Sequence, residues 1–281
     1  MSIKQSSLHY ICVPVLDMRK EPDDNAEIVS QSLFSEPIEI IENSTTSSEW
    51  IEIKTLADRY RGWVKNDGIC QRDIPYPLLP SEQTVTINRL SAHVYDVKDT
   101  IYGPRLTLPF GICMDIVDDT DIRWIKVVLP DKSMAYIQKG DVFVGHGNRL
   151  NRIEMCEFSF MFLGLPYTWG GRSSFGFDCS GFIQMLYRQM GVFLPRDSQQ
   201  QFSWNGLIET PIANLSPGDL VFYGYSPDKI RHVGLYLGNE KFIHTAAVTE
   251  NLPHVRISAI SDPAWNGSGY YPYFSGKKLS R

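Results

Sequence analysis

The sequence predicts a multidomain protein in which two small all-β modules precede an α+β domain. Short apolar runs separated by turn residues fill the first half of the 281-residue chain, and a tryptophan-centred pattern occurs there twice. In the second half, a helical pattern that carries Cys179 precedes several alternating strands. We therefore expect the two modules over residues 1–72 and 73–146 and the α+β domain over residues 147–281.

The first module is predicted from its short strands. Residues 8–16 form one apolar segment that is expected to be a strand, and three further apolar runs follow at Ile38–Ile41, Trp50–Ile53 and Trp63–Val64. Turn-forming residues, such as those at 21–25, lie between the strands. This spacing is typical of a small all-β fold.

The second module is predicted as a degenerate copy of the first. The run Trp50–Ile53 resembles the run Trp124–Val127, and each is followed by a second apolar run and a turn. The two tryptophans are 124 − 50 = 74 residues apart, which suits a duplicated β module with its linker. Between the copies, residues 72–81 contain three prolines and are expected to form a stiff connector.

Composition and charge argue against several kinds of partner. The chain has 27 basic and 32 acidic side chains, a formal net charge of −5 and no run of Lys or Arg, so we expect binding neither to nucleic acid nor to membranes. No apolar run has the length of a bilayer span. We expect the protein to be a monomer. We also expect it in the cytoplasm, because the N-terminal residues lack the pattern of an export signal. If such a signal has been removed from the N-terminus, the protein would act in the periplasm or outside the cell.

The five cysteines are dispersed without C-x-x-C spacing. This arrangement fits reduced thiols better than a disulfide framework. Four of them are expected to serve only in packing: Cys12, Cys70, Cys113 and Cys156.

Cys179 lies in a glycine-rich run, Tyr167–Phe182, that leads into a helix. Asp178 is a natural N-cap for this helix, and apolar residues recur every four positions from Phe182 onward. In the first turn of a helix, the dipole and the unpaired N–H groups favour a thiolate over a thiol. Cys179 is therefore the candidate nucleophile.

A nucleophilic thiol needs a base, and the base needs a group that orients its ring. His232 and His244 lie on two successive predicted strands. A three-residue turn would put His244 opposite Gly234, on the face of His232, whereas a two-residue turn would put the histidines on opposite faces. The candidate catalytic set is therefore Cys179, His232 and His244. The same three residues could in principle hold zinc, but they lack the close pair of ligands that zinc sites use, so we expect no metal and no cofactor.

Four motifs of the α+β domain resemble those of the NlpC/P60 cysteine peptidases, which cut bacterial cell-wall peptides. In order they read Y-T-W-G-G-R-S-S-F-G-F-D-C-S-G-F, L-S-P-G-D-L-V-F-Y, R-H-V-G-L-Y-L-G and K-F-I-H, and the likeness extends from about Leu150 to the C-terminus. The resemblance implies a papain-like domain in which Cys179 is the nucleophile, His232 is the general base and His244 orients the base.

The two upstream modules resemble bacterial SH3 domains in their Trp-hydrophobic and Gly-Trp-Val repeats. A chain of two such domains and an NlpC/P60 domain resembles the γ-D-glutamyl-L-diamino acid endopeptidases. By this resemblance the chain is expected to hydrolyse the γ-D-glutamyl–diamino acid bond of murein-derived peptides with a free N-terminal L-Ala. It would release L-Ala-γ-D-Glu and serve murein peptide recycling.

The expected specificity needs a closed pocket for the substrate ammonium, because a buried charge without a partner is costly. The candidate pocket residues flank the nucleophile, follow its helix or, by the resemblance, come from the first module: Asp178, Ser180, Asp197, Ser198, Tyr60 and Glu27. The sequence leaves open whether the third substrate residue is diaminopimelate or lysine.

Two other functions stay open at this point. The domain could be an amidase or an acyltransferase, as in other relatives of the fold, although no amphipathic segment supplies the apolar lid that a lipid substrate needs. The chain could instead be a wall-binding protein with an inert third domain, although the complete Cys/His/His set argues for hydrolysis.

Overall fold

Two units make up the chain, residues 1–148 and 149–281. The computed structural model describes residues 8–41, 49–77, 81–145, 147, 149–246, 254–262 and 271–280. None of the described helices is both long enough and apolar enough to cross a membrane.

The first seven strands form one antiparallel sheet. They are β1 (Leu8–Ile11), β2 (Val15–Arg19), β3 (Ile28–Leu33), β4 (Pro37–Ile40), β5 (Trp50–Thr55), β6 (Arg61–Lys65) and β7 (Ile69–Arg72). Their order in the sheet is β3-β2-β6-β5-β4-β1-β7. The single strand predicted over residues 8–16 is in fact two strands, because the chain bends at residues 12–14, where Pro14 cannot donate a ladder hydrogen bond.

Seven further strands repeat this order. They are β8 (Thr84–Ile87), β9 (Ser91–Tyr95), β10 (Leu106–Pro109), β11 (Cys113–Asp118), β12 (Trp124–Val128), β13 (Met134–Gln138) and β14 (Val142–Val144). Their order is β10-β9-β13-β12-β11-β8-β14, so each takes the place of the strand seven positions earlier. Trp50 and Trp124 each begin the fifth strand of their set. The repeat predicted from the two tryptophans is therefore also a repeat of strand order.

The two sheets pack against each other within the N-terminal unit. Leu33 and Phe34, at the end of β3, are buried in the same apolar cluster as the core residues of the second sheet. Tyr76 contacts both sheets, because its N–H donates to Tyr10 Oη at 2.9 Å and its hydroxyl donates to the Val128 carbonyl at 2.7 Å. The described part of the proline-rich connector is thus held on both sides; its residues 78–80 lie outside the described part of the chain.

The C-terminal unit combines helices with a six-stranded antiparallel sheet. Its described elements are α1 (Arg152–Ser159), β15 (Arg172–Ser173), β16 (Gly176–Phe177), α2 (Cys179–Gln189), α3 (Ser198–Ser203), β17 (Leu207–Thr210), β18 (Leu220–Gly224), β19 (Ile230–Gly238), β20 (Lys241–Ala246), β21 (His254–Ala259) and β22 (Tyr273–Leu279). The order of the large sheet is β17-β22-β18-β19-β20-β21, and β15 pairs with β16 alone. As the sequence predicts, the helix that begins at Cys179 precedes the strands that carry the two histidines.

Helix α2 packs its apolar stripe into this unit. Phe182, Ile183, Leu186 and Tyr187 are all fully buried. The Tyr187 hydroxyl also donates to the Gly218 carbonyl at 2.8 Å, so its polar end is satisfied inside the core. This burial fixes the helix, and with it the position of Cys179.

Candidate active site

Cys179 is the first residue of α2, and Asp178 is the N-cap. Asp178 Oδ1 accepts a hydrogen bond from the Gly181 N–H at 2.7 Å, which confirms the predicted cap. Phe177 precedes and Phe182 follows Cys179 in the sequence. The centroids of their buried rings lie 5.4 Å apart, and both rings contact Phe162. This aromatic cluster holds the point at which the helix begins.

The glycine-rich run brings its backbone against the start of the helix. A Cβ atom on Gly171 would lie only 2.3 Å from the Gly176 carbonyl oxygen, so a larger residue does not fit there. The Gly171 carbonyl in turn accepts the Asp178 N–H at 3.0 Å. The run therefore positions the residue that precedes the nucleophile.

A buried ion pair lies beside the nucleophile. Arg196, which is 1% exposed, donates from Nη1 to Asp178 Oδ1 at 3.0 Å and from Nη2 to Oδ2 at 2.5 Å. Nη1 also donates to Ser180 Oγ at 3.0 Å, and this hydroxyl donates to Asp178 Oδ1 at 3.2 Å. The pair is bidentate, so the charge of Asp178 is compensated inside the unit.

Asp197 and Ser198 lie next to the first turn of α2. They occupy the short segment between Arg196 and Gln201, and Gln201 Nε2 donates to the Ser180 carbonyl at 3.1 Å. Asp197 is the N-cap of α3, and both Asp197 and Ser198 are half-buried. The structure thus gathers four of the predicted substrate residues around the helix start.

His232 and His244 lie side by side in the sheet. His232 Nε2 is 2.9 Å from His244 Nδ1, and the two residues are 2% and 0% exposed. The turn between β19 and β20 has two residues, Asn239 and Glu240, whose φ angles are 50° and 55°. Yet the histidines share a face, so the prediction that a two-residue turn would separate them was wrong.

A β-bulge is the reason. Leu235 pairs with Ile243 and Tyr236 with Phe242, but the register shifts by one residue before Gly238 pairs with Lys241. The extra residue in β19 shifts the alternation of side chains by one position. His244 therefore lies on the same face of the sheet as His232, as it would with a three-residue turn.

Gly234 makes room for His244. A Cβ atom on Gly234 would lie 3.2 Å from the His244 Cβ and 2.5 Å from Cδ2 of Phe242. Gly234 therefore does more than lie opposite His244, because the site requires its missing side chain.

Ser258, on β21, extends the histidine pair. His244 Nε2 is 3.0 Å from Ser258 Oγ, and Ser258 is 5% exposed. A neutral imidazole has one N–H donor and one acceptor nitrogen. If Nδ1 of His232 is to accept a proton, its Nε2–H donates to His244 Nδ1, and the His244 Nε2–H then donates to Ser258 Oγ.

The sulfur of Cys179 lies against β19. The backbone N–H of Val233, the residue after His232, and the N–H of Ser180 both bond to this sulfur and oppose the rise in its pKa. Because Nε2 of His232 bonds to His244, Nδ1 is the ring nitrogen that can serve the thiol.

Burial governs the protonation of the site. Burial, with a smaller effect of Asp178, raises the pKa of Cys179 to about 12, which outweighs the N–H donors and Arg196. Burial also lowers the pKa of His232 to about 3 and holds the pKa of His244 well below its usual value. Burial thus opposes the expected preference for a thiolate and favours the neutral thiol and the neutral imidazole.

Among the described residues, no group of three or more His, Cys, Asp or Glu side chains is placed to hold a metal ion. The Cys179 sulfur is bonded to the backbone N–H of Val233, the neighbour of His232, and the His232 ring is bonded to His244.

Residues 164–269 match the model of the NlpC/P60 family, and residues 18–69 match that of the bacterial dipeptidyl-peptidase SH3 domain. The chain carries an NlpC/P60 peptidase domain and a bacterial SH3 domain. Cys179, His232 and His244 all lie within the NlpC/P60 match.

Two relatives resemble most of the chain. The γ-D-glutamyl-L-lysine dipeptidyl-peptidase of Bacillus cereus is 25% identical over 90% of this chain and 75% of its own length. Dipeptidyl-peptidase 6 of Lysinibacillus sphaericus is 28% identical over 80% of this chain and 83% of its own length. The crystal structure of an NlpC/P60 family protein from Bacillus cereus matches with a TM-score of 0.79 at 21% identity, covering 97% of this chain and 99% of that one. The fold is thus shared over nearly the whole chain.

Tyr60 and Glu27 both belong to the SH3 domain. Tyr60 is half-buried against the core of the first sheet, and its N–H donates to Thr55 Oγ1 at 3.0 Å. Glu27 is exposed, and its Oε2 lies 3.9 Å from Lys20 Nζ. A role for either residue at the substrate remains a prediction.

Two residues of the NlpC/P60 domain were missed by sequence reasoning. Arg196 is adjacent to Asp197 in the predicted pocket motif, and this adjacency was the only available signal. Ser258 gave no signal, because its contact depends on the pairing of β20 with β21, in which His244 lies opposite Arg256.

Proposed function

We propose that this chain is a cysteine endopeptidase that cleaves the γ-D-glutamyl–diamino acid bond of murein-derived peptides with a free N-terminal L-Ala. It releases L-Ala-γ-D-Glu and acts in murein peptide recycling. The observation that carries the proposal is the buried series His232, His244 and Ser258 on the sheet against which the Cys179 sulfur lies. Two relatives that match most of the chain are named as dipeptidyl-peptidases, one of them for γ-D-glutamyl-L-lysine.

The reaction begins from the neutral pair. His232 Nδ1 takes the proton of the Cys179 thiol as the sulfur attacks the γ-glutamyl carbonyl carbon. The ion pair therefore forms during attack, where the N–H groups of Ser180 and Val233 favour the anionic sulfur. A backbone N–H at the start of α2, that of Cys179, is the proposed donor to the oxyanion.

The second half of the reaction returns the proton. The imidazolium of His232 protonates the amine of the departing diamino acid, and a thioester joins the dipeptide to Cys179. Water, deprotonated by His232, then attacks this thioester and releases L-Ala-γ-D-Glu. His244 keeps the His232 ring in the required tautomer throughout, since His232 Nε2 is 2.9 Å from His244 Nδ1.

The free ammonium of L-Ala is proposed to bind beside the first turn of α2. Because Arg196 already compensates Asp178, the negative charge for the ammonium must come from another carboxylate. Asp197 is proposed to supply it from the start of α3, with Ser198 and Ser180 as neighbours. By the resemblance, Tyr60 and Glu27 of the SH3 domain are proposed as further substrate-binding residues.

We also propose that residues 84–144 form a second SH3-like module. Support comes from the strand order, which is the same as in the first sheet, and from the equivalent positions of Trp50 and Trp124.

Digestion of L-Ala-γ-D-Glu-L-Lys and of its diaminopimelate counterpart tests the proposed activity. The wild-type protein is expected to release L-Ala-γ-D-Glu, identified by mass spectrometry, whereas Cys179→Ala releases none because the nucleophile is lost. Cys156→Ala is the matched control, since it removes a buried thiol of α1 in the same unit and is expected to cleave. Cleavage by Cys179→Ala at the wild-type rate would contradict the assignment.

A further inference from the structure

Two cysteines that are far apart in the sequence are neighbours in the first sheet. Strands β1 and β7 pair with Tyr10 opposite Cys70, and the Cys12 N–H donates to the Gly68 carbonyl at 2.9 Å. Cys12 therefore lies one diagonal step from Cys70 on the same face of the pair. Both residues are half-buried free cysteines, and their thiols are close enough to share a hydrogen bond.

The two thiols differ in acidity. The hydrogen bond donated by Cys70 lowers the pKa of Cys12, and the same contact, together with burial, raises the pKa of Cys70. The shared hydrogen bond thus favours a thiolate at Cys12 with the proton on Cys70.

We propose that Cys12 and Cys70 form an intramolecular disulfide when the folded protein meets a hydroperoxide. The Cys12 thiolate attacks a peroxide oxygen, the O–O bond breaks, and Cys12 becomes a sulfenic acid. The sulfur of Cys70 then attacks the Cys12 sulfur, an S–S bond forms and water leaves with the Cys70 proton. In sum two thiols and one hydrogen peroxide give one disulfide and two waters.

The disulfide would tie β7, at the edge of the sheet, to its neighbour β1. It would close a loop between residues 70 − 12 = 58 positions apart, which restricts the unfolded chain. Arg72, at the end of β7, also donates from Nη1 to the Leu129 carbonyl at 2.8 Å. The bond would therefore stabilise the strand that leads from the first sheet to the second.

Peptide mapping of the oxidised protein tests the pair. The folded wild-type protein is treated with one equivalent of hydrogen peroxide, alkylated and digested with trypsin without reductant. We expect the peptide of residues 5–19 joined to that of residues 66–72, and its loss after dithiothreitol. Cys113, which is 4% exposed, is the internal control and should stay reduced. Absence of the joined peptide, or its formation only between two protein molecules, would overturn the proposal.

Single serine variants test the order of the two steps. In Cys70→Ser, the sulfenic acid at Cys12 should be trapped and detected as a dimedone adduct. In Cys12→Ser, dimedone should label Cys70 at least about tenfold more slowly than it labels Cys12 in the other variant. Oxidation should raise the thermal midpoint of the wild-type protein but not of Cys70→Ser. Since neither cysteine belongs to the proposed site, peptidase activity reports that both variants are folded. Equal labelling of the two variants would contradict the assigned order.

Discussion

The proposed role of His232 Nδ1 as the base determines where the protons lie on His232 and His244. His244 sits between His232 Nε2 at 2.9 Å and Ser258 Oγ at 3.0 Å, and both imidazoles are neutral because burial lowers their pKa values. With the Ser258 oxygen accepting from Nε2–H, the Nδ1 atom of His244 is left to accept from His232. Ser258 is therefore proposed to act as a positioning residue, which orients the His232 ring through His244.

Replacement of Ser258 tests this role. Ser258→Ala removes the acceptor of a buried N–H, a loss that costs about 1–3 kcal/mol, so the other tautomer of His244 gains population. We expect kcat to fall about 10- to 100-fold with little change in KM, and Ser258→Thr, which keeps a hydroxyl, to recover most of the loss. Steady-state kinetics on the tripeptide measure both parameters. An unchanged kcat in Ser258→Ala would show that the serine is not needed.

At the scale of elements, an ion pair and a hydrogen bond connect α3 and the residues just before it to the first turn of α2. The Arg196–Asp178 pair and the bond from Gln201 Nε2 to the Ser180 carbonyl make this connection. Gln199 Oε1 also accepts the Ile230 N–H at 2.8 Å, at the start of the strand that carries His232. Helix α3 thus connects the element of the nucleophile with the element of the base.

Loss of the Arg196 side chain is expected to lower the free energy of unfolding. Arg196→Met leaves the Asp178 carboxylate buried without its partner, a change that typically costs about 3–5 kcal/mol of unfolding free energy. The double variant Asp178→Asn/Arg196→Met removes both charges and should recover a large part of that loss. Denaturant unfolding of the three proteins measures the difference, and a single variant as stable as the wild type would contradict the importance of the pair.

The sequence predicts the elements of the site better than their register. The N-cap at Asp178 and the helix after Cys179 are local features, set by one capping side chain and an apolar stripe, and both were predicted. The side-by-side placement of His232 and His244 depends on a bulge that no local pattern indicates. The neighbourhood of Cys12 and Cys70 likewise depends on the pairing of strands distant in sequence, so these residues were predicted to serve only in packing.

For the molecule as a whole, the buried histidines make the free energy of unfolding depend on pH. The pKa of His232 is about 3 in the folded protein and about 6.5 when unfolded, so between these values the unfolded chain binds more protons. Stability is therefore fully present above pH 6.5 and is lost as the pH falls toward 3. His232 alone should remove about 2 kcal/mol of unfolding free energy between pH 7 and pH 5.

Unfolding of the wild type and of His232→Gln at these two pH values checks this dependence. The variant is expected to lose less stability on acidification, because glutamine does not titrate. An identical loss in both proteins would mean that His232 is not held neutral by the fold.

The most direct test is a competition between two forms of one peptide. L-Ala-γ-D-Glu-L-Lys with a free amine and an isotope-labelled copy with an acetylated amine are digested together by the wild-type protein, and mass spectrometry follows both dipeptide products. Loss of a charge-assisted hydrogen bond should slow the acetylated form by at least about 10- to 100-fold, so nearly all early product should be free L-Ala-γ-D-Glu. Release of both dipeptides at equal rates, or of neither, would contradict a γ-D-glutamyl–diamino acid endopeptidase that requires a free N-terminal L-Ala.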